Sequence, residues 1–275
     1  MFKDTPPAMI TCTSPGSPII EFRNVSFAVP TPEGDYMRNV IEDVSFVIKA
    51  GSITCLMGTS GSGKTTLLRL MAGLIQPDSG TILVCGNDIS KMKDREMTNI
   101  RREMGFVFQY SALFDSMDVG HNIGFGLERR RRPRKEINAV VKNLLEEVGL
   151  EGIENKRPSQ LSGGQKKRVA MARALAASPK IVLYDEPDSG LDPIMTKTID
   201  DLIIKIRQTK QTTNVVVTHN VHSVWRIADR VLMLDQARIV ADGTPAELEA
   251  SNVEIVSEFF SNDLAQRAPR LVATG

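Results

Sequence analysis

The chain has 275 residues, 41% hydrophobic and 24% charged, which suits an α/β domain that buries a core without disulfide or metal staples. Its 34 basic and 33 acidic residues leave a net charge of +1, so no overall basic field points to a nucleic-acid partner. No stretch approaches the roughly 18 apolar residues of a membrane-spanning helix, and Cys12, Cys55 and Cys85 form neither a metal pattern nor a disulfide framework, so a reducing compartment is expected.

In chain order, residues 1–17 mix prolines and serines without periodicity and read as a flexible tail, with no apolar core for a signal peptide. Strand patterning begins near Ile19, with Ile20, Phe22, Val25 and Phe27, and resumes at Ile41, Val44, Phe46 and Ile48. The segment Pro30 to Asp35 is a loop between them. Ile53 to Met57 reads as a buried strand, with Cys55 in the core, and a helix opens near Lys64. Strand, glycine loop and helix begin a parallel α/β unit. Further buried strands are predicted at Ile181–Tyr184, Val215–Thr218 and Val231–Leu234, with helices at Val169–Ala177 and Ile194–Arg207. The middle differs: Ile137, Val140, Val141, Leu144, Leu145 and Val148 repeat at helical spacing, predicting a mostly helical insertion into a parallel-sheet core.

Gly58-Thr59-Ser60-Gly61-Ser62-Gly63-Lys64-Thr65 fits the P-loop pattern in full, and Thr66 continues it. Glycines let the backbone curl its N–H groups around one anion, and the helix N-terminus adds a favourable dipole. Lys64 is placed to reach the β- and γ-phosphates of a nucleotide, and the Thr65 hydroxyl to bind Mg²⁺. The alternative, a glycine turn that merely caps a helix, is disfavoured by the buried strand before it. Asp185 and Glu186 end the next buried strand. Asp185 would hold Mg²⁺ through water; Glu186 could face the γ-phosphate as general base. Without the P-loop, two acids at a strand end would read as a solvated edge.

Leu161-Ser162-Gly163-Gly164-Gln165 opens a helix, and Ser162 with Gln165 also matches an ordinary capping box. It stands 23 residues before Asp185 (185 − 162), after Gln109 and before His219. In this order, over about residues 19–250, the chain resembles the ABC ATPases. Gln109 matches their Q-loop, Leu161–Gln165 their signature, Ser189-Gly190-Leu191-Asp192 their D-loop and His219 their switch histidine.

The resemblance implies a P-loop NTPase of RecA-like core: α/β, with a parallel-rich sheet, an antiparallel β portion and an inserted helical subdomain. It sets an ATPase domain at 18–250, with core 18–108 and 179–250, helical subdomain 109–178, and a C-terminal helix and tail at 251–275. It implies ATP and Mg²⁺ as cofactors. Ser162, Gly163, Gly164, Gln165 and Asp192 would contribute to nucleotide binding across a head-to-tail dimer with a second copy. Glu186, His219 and Gln109 would be catalytic, and Thr65, Gln109 and Asp185 would serve the metal. Partners would be integral membrane permease subunits, with an accessory cytoplasmic subunit and lipid-binding envelope proteins. The place would be the cytoplasmic face of the inner membrane.

The stretch Gln109–Met117 and the run Gly190–Ile194 resemble the ATPase of the Mla/Mce lipid-transport systems, so phospholipid or other lipid transport is the expected activity. A solute importer, of amino acids for example, is the alternative, and an ABC ATPase of cell division or repair another. The family's adenine-stacking aromatic is missing: Val29 holds the place, with Tyr36 and Phe27 as other candidates. Asp188 stands where many members carry Thr. The run Arg129–Arg132 with Arg134 and Lys135 reads as a solvated face, or as a contact for anionic headgroups or an acidic loop. Thr244-Pro245-Ala246-Glu247 is a helix start. The stripe Val253, Val256, Phe259 and Phe260 suits packing on the chain's own core, or contact with a partner.

Overall fold

The structure, a computed structural model, describes residues 14–31, 34 and 36–267, with side chains to residue 260. Most of the expected N-terminal tail, three positions of the Pro30–Asp35 loop and the last eight residues lie outside it.

The chain opens with β1 (Pro18–Pro30) and β2 (Met37–Lys49), then β3 (Ile53–Gly58) and α1 (Lys64–Met71). Next come β4 (Ser79–Val84), β5 (Asn87–Asp88), α2 (Asp94–Arg102) and β6 (Met104–Val107). Between β6 and β7 (Ile181–Asp185) lie α3 (Val119–Arg129), α4 (Arg134–Glu147) and α5 (Gly163–Leu175), with no strand among them. The rest is α6 (Pro193–Lys210), β8 (Thr213–Val217), α7 (Val221–Ile227), β9 (Arg230–Asp235), β10 (Arg238–Gly243), α8 (Pro245–Glu249) and α9 (Glu254–Arg267).

Two sheets result. One is antiparallel, in the order β2-β1-β4-β5; the other runs β10-β9-β3-β8-β7-β6 and is parallel except where β10 meets β9. The central strands read as unbroken apolar runs because both faces of the parallel sheet are covered. Successive side chains go to opposite faces. Ile53, Cys55, Met57, Val182 and Tyr184 join the core shared with the helices from α3 to α7. Leu56, Ile181, Leu183, Val215 and Val217 join the core shared with α1 and the antiparallel sheet. The strand β3 lies between β8 and β9, so its carboxyl end opens where the strand order reverses, the usual ligand crevice of open α/β sheets.

The predicted strands and helices are present, and both predicted caps form. The Ser162 hydroxyl accepts from the Gln165 N–H, and the Thr244 hydroxyl from the Glu247 N–H. Of the C-terminal stripe, Val256 and Phe260 are buried, Phe260 edge-on to Trp225 at 6.2 Å, and Phe259 packs against the same core, while Val253 is partly exposed. The arginine run forms the exposed corner between α3 and α4, where Arg134 pairs with Glu128 and Arg132 with Glu136. One expectation is corrected. Cys55 is a free buried thiol, its pKa pushed up by burial, but Cys85 is disulfide-bonded, since separation along the chain does not measure distance in the fold. Cys12 lies outside the described residues.

Candidate functional site

The phosphate loop joins β3 to α1, and two glycines fit it to its neighbours. A Cβ on Gly58, at φ 139°, would stand 2.0 Å from the Leu234 carbonyl oxygen. One on Gly63, at φ 106°, would stand 2.5 Å from that of Val40. Both positions demand a left-handed backbone and leave no room for a side chain. From the first turn of α1 the Lys64 ammonium folds back under the loop, donating to the carbonyls of Gly58 (2.9 Å) and Thr59 (2.6 Å) and to Ser62 Oγ (3.4 Å). Burial pulls its pKa down, and the charges of Glu186 and Asp185 oppose that pull.

The carboxyl end of β7 brings the acids to the same place. Thr65 Oγ1 donates to Asp185 Oδ1 at 2.9 Å. Burial raises the Asp185 pKa, while the Thr65 hydrogen bond, Arg69, Lys64 and Lys167 pull it back. One residue on, Glu186 takes a left-handed backbone (φ 46°), which costs roughly 1–3 kcal/mol for a side-chain-bearing residue. That turn sends its carboxylate beside Gln109, whose Nε2 donates to Glu186 Oε2 at 2.8 Å. His219, two residues beyond β8, stands with Nδ1 4.0 Å from Glu186 Oε1.

Apart from Asp185, which is bonded to the lining residue Thr65, the side chains of these key groups line one cleft of about 720 Å³. Gly58, Ser60, Gly61 and Gly63–Thr66 line its floor, and Gln109, Glu186 and His219 its wall. Of the adenine candidates, only Val29 reaches it. Tyr36 is 67% exposed outside its lining, and Phe27 pairs with Ile41 and packs on the core. Across from Val29 in the β1–β2 register lies Arg38, which also lines the cleft and which the sequence reading overlooked. Its planar guanidinium is a stacking surface for a flat ring.

Ser162, Gly163, Gly164 and Gln165 do not line this cleft; they start α5, with Ser162 exposed as its N-cap. Asp192 lies outside it too, its Oδ1 capping α6 by accepting from the Ile194 and Met195 N–H groups at 2.9 Å. Asp188 is buried and accepts from Thr218 Oγ1 at 2.8 Å, which ties the turn after β7 to the residue before His219. Lys167, also overlooked, bridges the Gln109 and Glu186 backbones.

Beyond Gln109 the chain forms a braced loop. Arg173 donates to the carbonyls of Ser111 and Ala112, and buried Asn122 bonds the Phe114 N–H and the carbonyls of Phe114, Met117 and Asp118. Around it Phe108, Tyr110 and Phe114 are exposed within seven residues of sequence.

An anion cradle with a buried cation suits a polyphosphate. Thr65 hydroxyl and Asp185 carboxylate are the hard oxygen donors that Mg²⁺ takes when phosphates complete its shell. Among the described residues no cluster of three or more His, Cys, Asp or Glu could hold a metal on its own, and no helix is long and apolar enough to cross a membrane.

Residues 41–189 match the family model described as ABC transporter. The chain is 43% identical over 215 residues to the sulfate/thiosulfate import ATP-binding protein CysA of Mycolicibacterium paratuberculosis, covering 78% of this chain and 58% of that protein. It is 45% identical over 226 residues to the methionine import ATP-binding protein MetN of Geobacillus kaustophilus, covering 82% and 66%. It is 39% identical over 245 residues to the chloroplastic protein Trigalactosyldiacylglycerol 3 of Arabidopsis thaliana, covering 82% and 70%. The match thus spans about three-fifths of the sulfate/thiosulfate relative's length. Among solved structures, the dimeric, post-hydrolysis state of the ATP-binding cassette MJ0796 bound to ADP and Pi superposes with a TM-score of 0.76 at 31% identity, covering 82% of this chain and 99% of that one.

Proposed function

This chain belongs to the ABC transporter family, and from that premise we propose that it is the ATP-hydrolysing subunit of a membrane transporter. The observation that carries the proposal is that Thr65, bonded to Asp185, and Gln109, bonded to Glu186, line one cleft beside the Lys64 cradle. Lys64 and the loop N–H groups hold the phosphates of ATP. Thr65, Asp185 and Gln109 would hold Mg²⁺, which would supply charge neutralisation at the phosphate oxygens. Glu186 accepts the proton of the attacking water. Gln109 orients the Glu186 carboxylate, and His219 contacts the γ-phosphate side. Arg38 stacks on adenine. The division into core 18–108 and 179–250 and helical subdomain 109–178 belongs to the same reading, as does work at the cytoplasmic face of a membrane.

The exposed start of α5 serves a second copy of the chain in a head-to-tail dimer. Ser162 and the adjacent N–H groups, with the helix dipole behind them, complete the partner's ATP site. Support comes from Ser162 lying outside its own chain's nucleotide cleft, and from the dimeric form of the similar cassette. Ser162→Arg is expected to keep ATP binding to the monomer and abolish hydrolysis. Mixed with Lys64→Ala subunits it should regain one composite nucleotide site, measured as an ATP-dependent dimer that neither variant forms alone. A mixture that forms no ATP-dependent dimer would remove the head-to-tail arrangement.

For cargo, the named relatives favour a small-solute importer, since two of them at 43–45% identity import sulfate/thiosulfate or methionine. That moves the weight away from the lipid transport expected from Ser111–Met117 and Gly190–Ile194. Lipid stays as the second reading because the third relative carries a glycolipid in its name. Accessory and lipid-binding envelope partners stand or fall with it. In either case the exposed aromatic loop after Gln109 suits a permease helix. Charged residues at Phe114 and Met117 should leave ATP binding unchanged but block assembly with the permease, because the contact would bury an unpaired charge. In cells, loss of sulfate or methionine uptake with an intact envelope would support the importer. Detergent sensitivity with normal uptake would support lipid transport.

A further inference from the structure

We propose that Lys167 is a positioning residue that couples the two ATP sites of the dimer by tying the signature helix to the hydrolytic carboxylate of its own subunit. The inference rests on the ATPase reading above and extends it to communication between sites. The Lys167 side chain leaves the second turn of α5 and is buried, with 6% of the residue exposed. An ammonium has three N–H donors, and here each has an acceptor. They are the Gln109 carbonyl at 2.9 Å, the Glu186 carbonyl at 3.0 Å and Ser189 Oγ at 3.1 Å. Those acceptors belong to three separate segments: the loop after β6, the end of β7 and the turn leading to α6.

The geometry makes one nitrogen responsible for two orientations. Glu186 is pinned on one side by its N–H donating to the Val217 carbonyl (3.0 Å), and on the other by its carbonyl accepting from Lys167. Its strained left-handed backbone, and so the direction of its carboxylate, is set between β8 and α5. Gln109, whose amide holds that carboxylate, has its own carbonyl on the same ammonium. Burial lowers the Lys167 pKa, while the carboxylates of Asp188, Glu186 and Asp185 sustain its charge.

Lys167 is five residues from Ser162, roughly 7.5 Å along one continuous helix. In the proposed dimer Ser162 serves the partner's ATP, whereas Glu186 acts on the ATP of its own chain. A displacement of α5 by the partner's γ-phosphate therefore moves the atom that aims Glu186 and Gln109.

The test compares wild type, Lys167→Met and Lys167→Gln as full-length proteins for ATP affinity of the monomer, kcat, KM and the Hill coefficient for ATP. Lys167→Met removes the three donors but touches no phosphate group. It should bind ATP normally, lose about 10- to 100-fold in kcat, as expected for a misaimed catalytic group, and show a Hill coefficient close to 1. Lys167→Gln, whose amide donates two hydrogen bonds, should recover part of both. Unchanged kcat and Hill coefficient in Lys167→Met would overturn the coupling while leaving the ATPase reading intact. So would equal losses in both variants that track a fall in ATP affinity, which would mark a purely structural lysine. A wild-type protein without ATPase activity would overturn the functional reading, and this inference with it.

Discussion

Glu186→Gln is expected to slow ATP turnover by roughly 10²- to 10⁴-fold while ATP still binds, since that range is what a positioned general base contributes. The substitution is nearly neutral in shape. Gln carries the same backbone at φ 46°, and its amide oxygen can accept from Gln109 Nε2 as Oε2 of the carboxylate does at 2.8 Å. What disappears is the basic oxygen that takes the water proton. With hydrolysis stalled, the protein should collect as an ATP-bound dimer, visible as a shift in apparent mass on adding ATP. Single-turnover hydrolysis is the direct measurement. Near-native turnover would remove Glu186 from the role and leave His219, 4.0 Å away, as the next group to test.

Lys64→Ala is expected to remove most ATP binding, by at least about 100-fold, because two or more charge-assisted hydrogen bonds to phosphate are lost. The structure adds a second cost. In this structure the same three donors serve the carbonyls of Gly58 and Thr59 and Ser62 Oγ, so loss of the ammonium leaves part of the loop's inner face without a donor. A melting curve recorded beside the ATP titration separates the two effects: loosening of the loop lowers Tm without nucleotide, and the lost charge acts only on affinity. Normal affinity in this variant would sink the phosphate-loop assignment.

Much of this site could be read in advance because its parts are local. A buried strand, a glycine loop and a helix start are adjacent in sequence, and the Asp185–Glu186 pair ends an apolar run. What escaped the sequence depends on distance in space. Lys167 sits in the trio Lys166-Lys167-Arg168, which reads as a solvated helix face; only the fold turns its ammonium inward. Arg38 becomes a cleft residue through its register with Val29, fixed by a hairpin whose connecting loop gives no register signal. Asp188 stands out in sequence only as a departure from Thr; the fold brings Thr218 to it. The strands β5 and β6 are too short for periodicity, and β10 is an edge strand whose consecutive Ile239, Val240 and Ala241 hide in sequence the alternation it shows in burial.

The obstacles at Gly58 and Gly63 bear on how this molecule can vary over generations. The nearest at each is a main-chain oxygen, of Leu234 and of Val40, ahead of the side chains of Ser62 and Ile41. Every amino acid carries that same oxygen, so no exchange at position 234 or 40 can open space for a methyl group opposite. The two glycines are therefore beyond rescue by any single compensating substitution. Their neighbours' side chains stay free to drift as far as their own packing allows. In a library covering all replacements, positions 58 and 63 should accept nothing but glycine against any background at 234 and 40. Relief should come only from changes that reroute the chain, such as insertions in the β1–β2 connection.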